Sequence, residues 1–477
     1  MRRIGLQSVL AVSILSIAAI PAPAQSRTLV KLNLVATDSK GAPVTDLSAK
    51  DIVVREDGAV HPLVFFRFAG GRPAMSQTGT NEFANRSGPP VTVILLDRWN
   101  QRELTLATAW QDIATALGHY ENVDRLYLYF LGNQADLVPV QPLPGPEADL
   151  RMPPPLSATA LIARFNQTVR SLTGLRDMAN VDPMDRAERT LQALHIVSQM
   201  GNIAGPKSLV WVTHGFPIQF LNMSQQLLDY TQPLLGAAAA AVHSQVSIYT
   251  VDQSDEGAGA DPAGLARQTL ELISEQTGGR WFTSGRTADA LAAVSNDTRG
   301  MYQLAYLPQA TAKKSKDHKL RVESLRKGVR LLARAGFTGD EPTANPDEIM
   351  EDVLTRQSHS PFDATEIGLR VGRSEKPQGV HLEIHIDAAD LYLEHRDDGY
   401  HGSLGLQLAF YREGVCEATQ PATRKDLALT QAEYDNAMKN GLAISSDIKV
   451  ADGIQQLRVM VFDRGIQGLG SVTLPAR

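Results

Sequence analysis

A doubly wound, Rossmann-like α/β domain combined with all-β sandwich modules is the fold class predicted by this 477-residue sequence. Three observations carry it. Val91–Leu96 is a run of six apolar or β-branched residues ending at Asp97. It is too short for a helix and apolar on both faces, as a central parallel strand must be. From there to about residue 308, strand-like runs alternate with amphipathic helical patterns, the signature of a parallel sheet with crossover helices. On either side the pattern returns to period two, punctuated by Gly, Asp and Asn, as antiparallel sheets require.

In chain order, residues 1–24 read as a signal peptide. Met1-Arg2-Arg3 is a basic start, Ile4–Ala19 an apolar stretch, and Ala22-Pro23-Ala24 a small-x-small cleavage pattern. An exported chain, periplasmic or extracellular, is therefore expected, with an uncleaved N-terminal anchor as the alternative. No later segment has the roughly 18 apolar residues that span a bilayer, so no transmembrane helix is expected in the mature chain. Residues 25–87 predict an N-terminal β module plus linker. Val30, Leu32 and Leu34 alternate with Lys31, Asn33 and Val35; Asp51–Gly58 ends in an Asp-Gly hairpin signal; Val60–Phe68 is a third strand. Gly70–Gly88, rich in Gly, Ser, Thr, Asn and Pro, reads as the linker.

Residues 88–308 hold the α/β pattern. Strands are expected at Val91–Leu96, Asp124–Leu131, Ser208–Thr213, Val246–Val251, Trp281-Phe282 and Tyr302–Leu307, with Ala135–Val140 turning back as an edge hairpin. Helices are expected at Glu103–Leu117, Ser157–Leu172, Asp185–Met200, Gln225–Ser244, Leu265–Thr277 and Ala288–Thr298. Gly278-Gly279 reads as a helix C-cap. Residues 309–340 supply strands that complete the N-terminal module, which has too few of its own to enclose a core. The α/β domain is then an insertion within it. Residues 341–477 read as a C-terminal β-sandwich with short helices at Asn345–Gln357 and Gln431–Asn440.

Composition narrows the function. With 43% hydrophobic and 21% charged residues the chain is an ordinary folded protein, not a disordered one. Loss of Arg2 and Arg3 takes 46 basic residues to 44 against 52 acidic ones, a net charge of about −8, which argues against nucleic acid as a partner. The single cysteine, Cys416, excludes an intramolecular disulfide; it reads as a small hydrophobe, or else as a reactive thiol. No Gly-x-Ser-x-Gly elbow, His-Glu-x-x-His pair or Walker loop occurs. Asp252–Gly257 matches a Ca²⁺ loop only loosely, since Ala263 stands where the bidentate Glu belongs.

Several segments carry a family resemblance: the apolar strand ending at Asp97, Val210-Trp211-Val212-Thr213-His214-Gly215, Val246–Asp252, and Gly278-Gly279-Arg280-Trp281-Phe282. Together they resemble a von Willebrand factor A-like domain. The flanks, Val44-Thr45-Asp46-Leu47 with Asp51–Gly58, Tyr302–Tyr306, Ala335-Gly336-Phe337 and Gly468–Leu474, resemble the VWFA-related proteins of the acidobacterial type. The resemblance implies an exported adhesion-type module that binds proteins through the top of the A domain. It also implies a metal-ion-dependent adhesion site (MIDAS): Asp-x-Ser-x-Ser after the first strand, a Thr from a later loop, and a late Asp.

Here the first loop is Asp97-Arg98-Trp99-Asn100-Gln101, so Trp99 and Gln101 replace both Ser, and His214 stands at the late Asp position. Thr173 is the candidate for the Thr, with Asp182 and Asp185 as rivals. Mg²⁺ wants six oxygens at about 2.1 Å, and this set has lost both Ser hydroxyls and the late carboxylate. The expectation is a degenerate MIDAS without a resident cofactor. The degenerate site would draw on Asp97, Asn100, Thr173, His214 and Asp252, with Mg²⁺ still open; Asp97, Asn100, His214, Asp252 and Asp255, expected at the carboxyl ends of neighbouring strands, form a mixed N/O set that suits Zn²⁺ or Mn²⁺. Asp97, Trp99, Gln101, His214 and Phe216 are the partner-binding candidates. Trp99 is either an exposed interface anchor or packs beneath the loop. The function expected is non-catalytic protein binding, against a metal-dependent hydrolase at Asp97 and His214 or a purely structural envelope protein.

Overall fold

A computed structural model describes residues 29–70, 81–85, 90–100, 103–119, 125–132, 136–151, 155–172, 182–221, 224–252, 265–282, 286–308, 317–338, 345–377 and 379–476. The expected signal peptide lies outside them. Among the described residues no helix is long and apolar enough to cross a membrane.

The fully apolar runs become the middle of a six-stranded sheet. Its strands are β1 (Val91–Asp97), β2 (Leu126–Leu131), β3 (Leu137–Gln141), β4 (Lys207–Thr213), β5 (Val246–Asp252) and β6 (Trp281–Phe282). They lie in the order β3-β2-β1-β4-β5-β6, all parallel except β3, which runs antiparallel to β2. This is the 3-2-1-4-5-6 order of doubly wound sheets, whose reversal point lies between β1 and β4.

Period-two alternation decides what each face covers. Val93, Leu95, Leu209, Trp211 and Ile248 face one layer of helices, α3 (Pro183–Ala193), α4 (Ile196–Met200), α5 (Thr231–His243) and α6 (Leu265–Thr277). Ile94, Leu96, Leu128, Phe130, Val210 and Val212 face the other, α1 (Glu103–His119), α2 (Ala158–Ser171) and α7 (Thr287–Arg299). The C-cap of α6 shows why glycine is needed there. Gly278 has φ +74°, and a Cβ on Gly279 would sit 1.9 Å from the Ile248 carbonyl oxygen.

Two helices differ from expectation. The stretch expected as Asp185–Met200 breaks at Leu194 and His195 into α3 and α4. The stretch expected as Gln225–Ser244 is helical only from Thr231. Before it, Leu227–Asp229 pairs antiparallel with Gln219–Leu221, closed by the Gln219 amide donating to Asp229 (2.9 Å). Asp229 also accepts from the Thr231 backbone (2.8 Å), so the turn ends where the helix begins.

The flanks of the chain meet in a β unit of two four-stranded sheets. One runs Arg330–Leu332, Val30–Thr37, Met301–Tyr306, Leu63–Phe68; the other runs Gly336–Thr338, Asp317–Ser324, Ile52–Glu56, Ala59–His61. Leu32, Leu34, Val54, Tyr302 and Leu320 form the core between them. Met301–Tyr306, read from sequence as the last α/β strand, instead pairs with Val30–Thr37 and Leu63–Phe68.

The C-terminal part packs two further sheets around Leu369, Leu382, Ile384, Leu457, Val459 and Val472. One of them contains a surprise from the linker: Glu82–Ala84 pairs with Leu369–Lys376 as an edge strand. Asn85 anchors it, donating to the Ala364 and Ile367 carbonyls (2.9 and 2.7 Å) and accepting from Leu369 N (2.9 Å). Cys416 lies half-buried beside the core containing Tyr411 and Phe462, and burial raises its thiol pKa, which disfavours the thiolate.

Candidate functional site

β1 delivers Asp97 to the carboxyl edge of the sheet, next to the reversal point, where ligands bind in such folds. Asp97 is fully buried. Its Oδ1 accepts from Asn100 N (2.9 Å). Its Oδ2 accepts from Asn100 Nδ2 (2.6 Å), Thr213 Oγ1 (2.7 Å) and Trp211 Nε1 (3.1 Å). Burial raises the Asp97 pKa, while the hydrogen bonds from Asn100 and Thr213 and the charge of Arg186 pull the other way. The carboxylate is thus wrapped in four donors rather than turned toward solvent.

The charge that faces this cluster comes from α3. Arg186 Nε donates to Asn100 Oδ1 (2.7 Å), and its Nη2 donates to the carbonyls of Asn100 (3.2 Å) and Gly215 (3.0 Å). Thr190, one turn on, accepts from Asn100 Nδ2 (2.8 Å) and donates to Arg186 O (2.7 Å). The guanidinium therefore bridges the β1 and β4 loops with its planar fork, the work that a cation's coordination sphere would do.

Trp99 corrects one expectation. It is 0% exposed, packs in the core with Trp211 and Ala187, and donates its indole N–H to Arg186 O (3.3 Å). It is a packing residue beneath the loop, not an interface anchor. Phe216 is corrected for the same reason: its ring is wholly buried in that core. The left-handed Gly215, whose Cβ would strike the Ala266 carbonyl at 2.6 Å, turns the β4 loop inward.

His214 and Asp252 come together separately, with His214 Nδ1 3.6 Å from Asp252 Oδ1 and Arg267 Nε 3.2 Å from Asp252 Oδ2. Asp182 caps α3 by accepting from Met184 N, and Asp185 pairs with Arg189. Both rivals for the missing ligand are thus engaged on α3 itself, and no contact joins either to Asp97. Thr173, Gln101 and Asp255 lie outside the described residues.

These residues do not fit a divalent cation. The Asp97 oxygens accept four hydrogen bonds, the Asn100 oxygen is taken by Arg186, and Asp252 is already matched by a guanidinium. A second positive charge beside Arg186 would be repelled.

Sequence reasoning missed Arg186 and Thr213, both hidden in runs that carry other signals. Arg186 sits among alternating acids and bases of α3, and Thr213 reads as the end of an apolar strand. It also missed the hairpin after β4. There Leu221 and Leu227, directly paired across the two strands, are 57% and 65% exposed, among the most exposed large apolar side chains described.

No protein-family model matches the chain, and no curated protein matches it. Among solved structures, the human COPII-coat protein Sec24c aligns at 10% identity and a TM-score of 0.25, over 55% of this chain and 45% of its own. The pilus adhesin SpaC from Lactobacillus rhamnosus GG, in an open conformation, aligns at 9% identity and a TM-score of 0.28, over 91% and 57%. This chain spans about half the length of each. Likenesses of that size carry no argument about function.

Proposed function

We propose that the chain is an exported, non-catalytic protein-binding module of the VWFA-related kind, in which Arg186 replaces the cation of an A-domain adhesion site. The observation that carries this reading is the Arg186 fork on Asn100 and Gly215 beside the buried Asp97. The 3-2-1-4-5-6 strand order and the position of Asp97 at the end of β1 support the A-like assignment.

With Trp99 and Phe216 buried, the contact surface moves to the hairpin that follows β4. Its exposed Leu221 and Leu227 form an apolar cross-strand pair of the kind that anchors protein contacts, while Gln219 and Asp229 hold the base together. A metal-dependent hydrolase at Asp97 and His214 has no support from these contacts, because Asp97 has no oxygen turned outward to hold a metal-bound water.

The test is cross-linking of the purified chain to envelope proteins, with and without added Mg²⁺. The expected result is a partner captured equally in both conditions and lost in the Leu221→Lys, Leu227→Glu double variant, whose opposite charges face each other across the hairpin. Because both leucines are exposed, that variant's stability should stay within about 0.5 kcal/mol of the parent. Capture that requires Mg²⁺, or that survives the double substitution, would overturn the reading.

A further inference from the structure

The β unit brings a second set of chemistry-bearing side chains together, far from the Asp97 loop. Glu56 ends the strand Ile52–Glu56, Asp57 begins the turn after it, and His318 lies on Asp317–Ser324. One carboxylate oxygen from Glu56, one from Asp57 and an imidazole nitrogen from His318 all lie within 4.8 Å of one another. His318 Nδ1 is 2.8 Å from Glu56 Oε1 and 3.1 Å from Asp57 Oδ2. A single N–H serves both only as a bent, three-centre bond.

The side chains around the three hold them in place, as the outer shell of a metal centre does for its ligands. Each carboxylate is oriented through its other oxygen: Glu56 Oε2 accepts from the buried Tyr306 hydroxyl (2.9 Å), and Asp57 Oδ1 accepts from Lys319 N (2.9 Å). The His318 ring is stacked on Phe337, 4.7 Å between centroids and 14° from parallel. Behind Glu56, His61 is nearly fully buried and directs Nε2 at Oε2 from 3.8 Å, while its Nδ1 lies 3.3 Å from the Leu307 carbonyl. Asp57 is held with φ at +50°, which fixes its position at the hairpin. On the open side, His318 and Asp57 remain 20% and 35% exposed at their side chains, so an ion has a route from solvent.

We propose that Glu56, Asp57 and His318 bind a divalent transition metal, Zn²⁺ by the chemistry of the donors. Ligands about 2.0–2.1 Å from a tetrahedral ion stand about 3.3 Å apart, so small outward shifts of the two carboxylate oxygens from His318 Nδ1 bring those separations to that value. One nitrogen and two carboxylate oxygens suit Zn²⁺ better than Ca²⁺ or Mg²⁺, and the fourth position is left to water. Zn²⁺ enters as the proton between His318 Nδ1 and the carboxylates leaves to solvent; nothing is oxidised or reduced. His61 and Tyr306 are positioning residues that act through Glu56. The ion ties the chain before the α/β domain to the chain after it.

The experiment is equilibrium dialysis of the metal-stripped, untagged full chain against Zn²⁺, with bound metal measured by mass spectrometry and unfolding followed by circular dichroism. About one equivalent is expected, with a rise of several degrees in the unfolding midpoint. His318→Gln and Asp57→Asn, both part-exposed and expected to fold, should weaken binding at least about tenfold. His381→Gln, in the exposed His381–Asp447 pair, should bind Zn²⁺ as the parent does. Zinc uptake well under one equivalent, or uptake unchanged in His318→Gln, would make the trio an ion pair only and end the proposal. The cross-linking result above is independent of this outcome.

Discussion

At the scale of single residues, Arg186 and Asp97 decide the character of the sheet's carboxyl edge. Arg186 makes three hydrogen bonds with one rigid group, so its loss leaves Asn100 Oδ1 and two loop carbonyls without that partner. Arg186→Ala should therefore destabilise the fold by about 2–3 kcal/mol, measured by urea unfolding. Arg186→Lys should recover little of it, because an ammonium cannot span the same three acceptors. A second residue sets a pH slope. Burial pushes the Asp463 carboxyl up to about 6 from 3.8, against backbone N–H donors from Tyr392, Gly465 and Ile466. A folded pKa above the unfolded one means the folded chain holds the proton more tightly. Its contribution is thus fully present below about pH 4 and is lost as pH rises through about 6. Urea midpoints of the parent and Asp463→Asn, compared across that window, should show the slope in the parent and its loss in the variant.

At the scale of elements, regular patterns were legible and competing local chemistry was not. Val91–Leu96 and Ser208–Thr213 announced buried strands because both faces are covered, and the Gly278-Gly279 cap announced itself by composition. The hairpin at Gln219–Asp229 was hidden because Leu227 and Leu228 fit a helix period as well as a strand; Gln219 and Asp229, ten residues apart, decide the matter by bonding across the turn. In the same way, Asp97 was found by its place at a strand end, while its donors Trp211 and Thr213 are distant in sequence. Trp99 could not be assigned to core or surface until α3 was seen to cover it. The close approach of the α6 cap to β5 gives a test at this scale. Gly279→Ala forces a methyl into the Ile248 carbonyl and should cost about 2–3 kcal/mol, read by thermal or urea unfolding.

At the scale of the whole molecule, long-range pairing governs. Glu82–Ala84 closes an edge of the C-terminal sandwich from almost 300 residues away in the chain, as the Arg370↔Ala84 register shows. No local pattern could reveal this, because a three-residue strand in a polar linker has no periodicity to read. A fragment of residues 345–476 should consequently expose the Leu369–Lys376 edge and self-associate. Adding a peptide of residues 80–86 should return it to a monomer, which sedimentation would report; a fragment monomeric without the peptide would count against the pairing as a protective device.

The meeting of the first described strand with one near the far end of the α/β domain also sets a clock. Val30 pairs with Tyr306, and Thr37 with Arg330. A chain emerging N-terminus first, at about 5–20 residues per second, leaves that strand unpartnered for tens of seconds. The α/β domain, whose sheet draws its strands from residues 91–282, is complete before the β unit can shut. Assembly is thus ordered in time. The middle of the molecule folds first, and the earliest described strand is among the last to be satisfied.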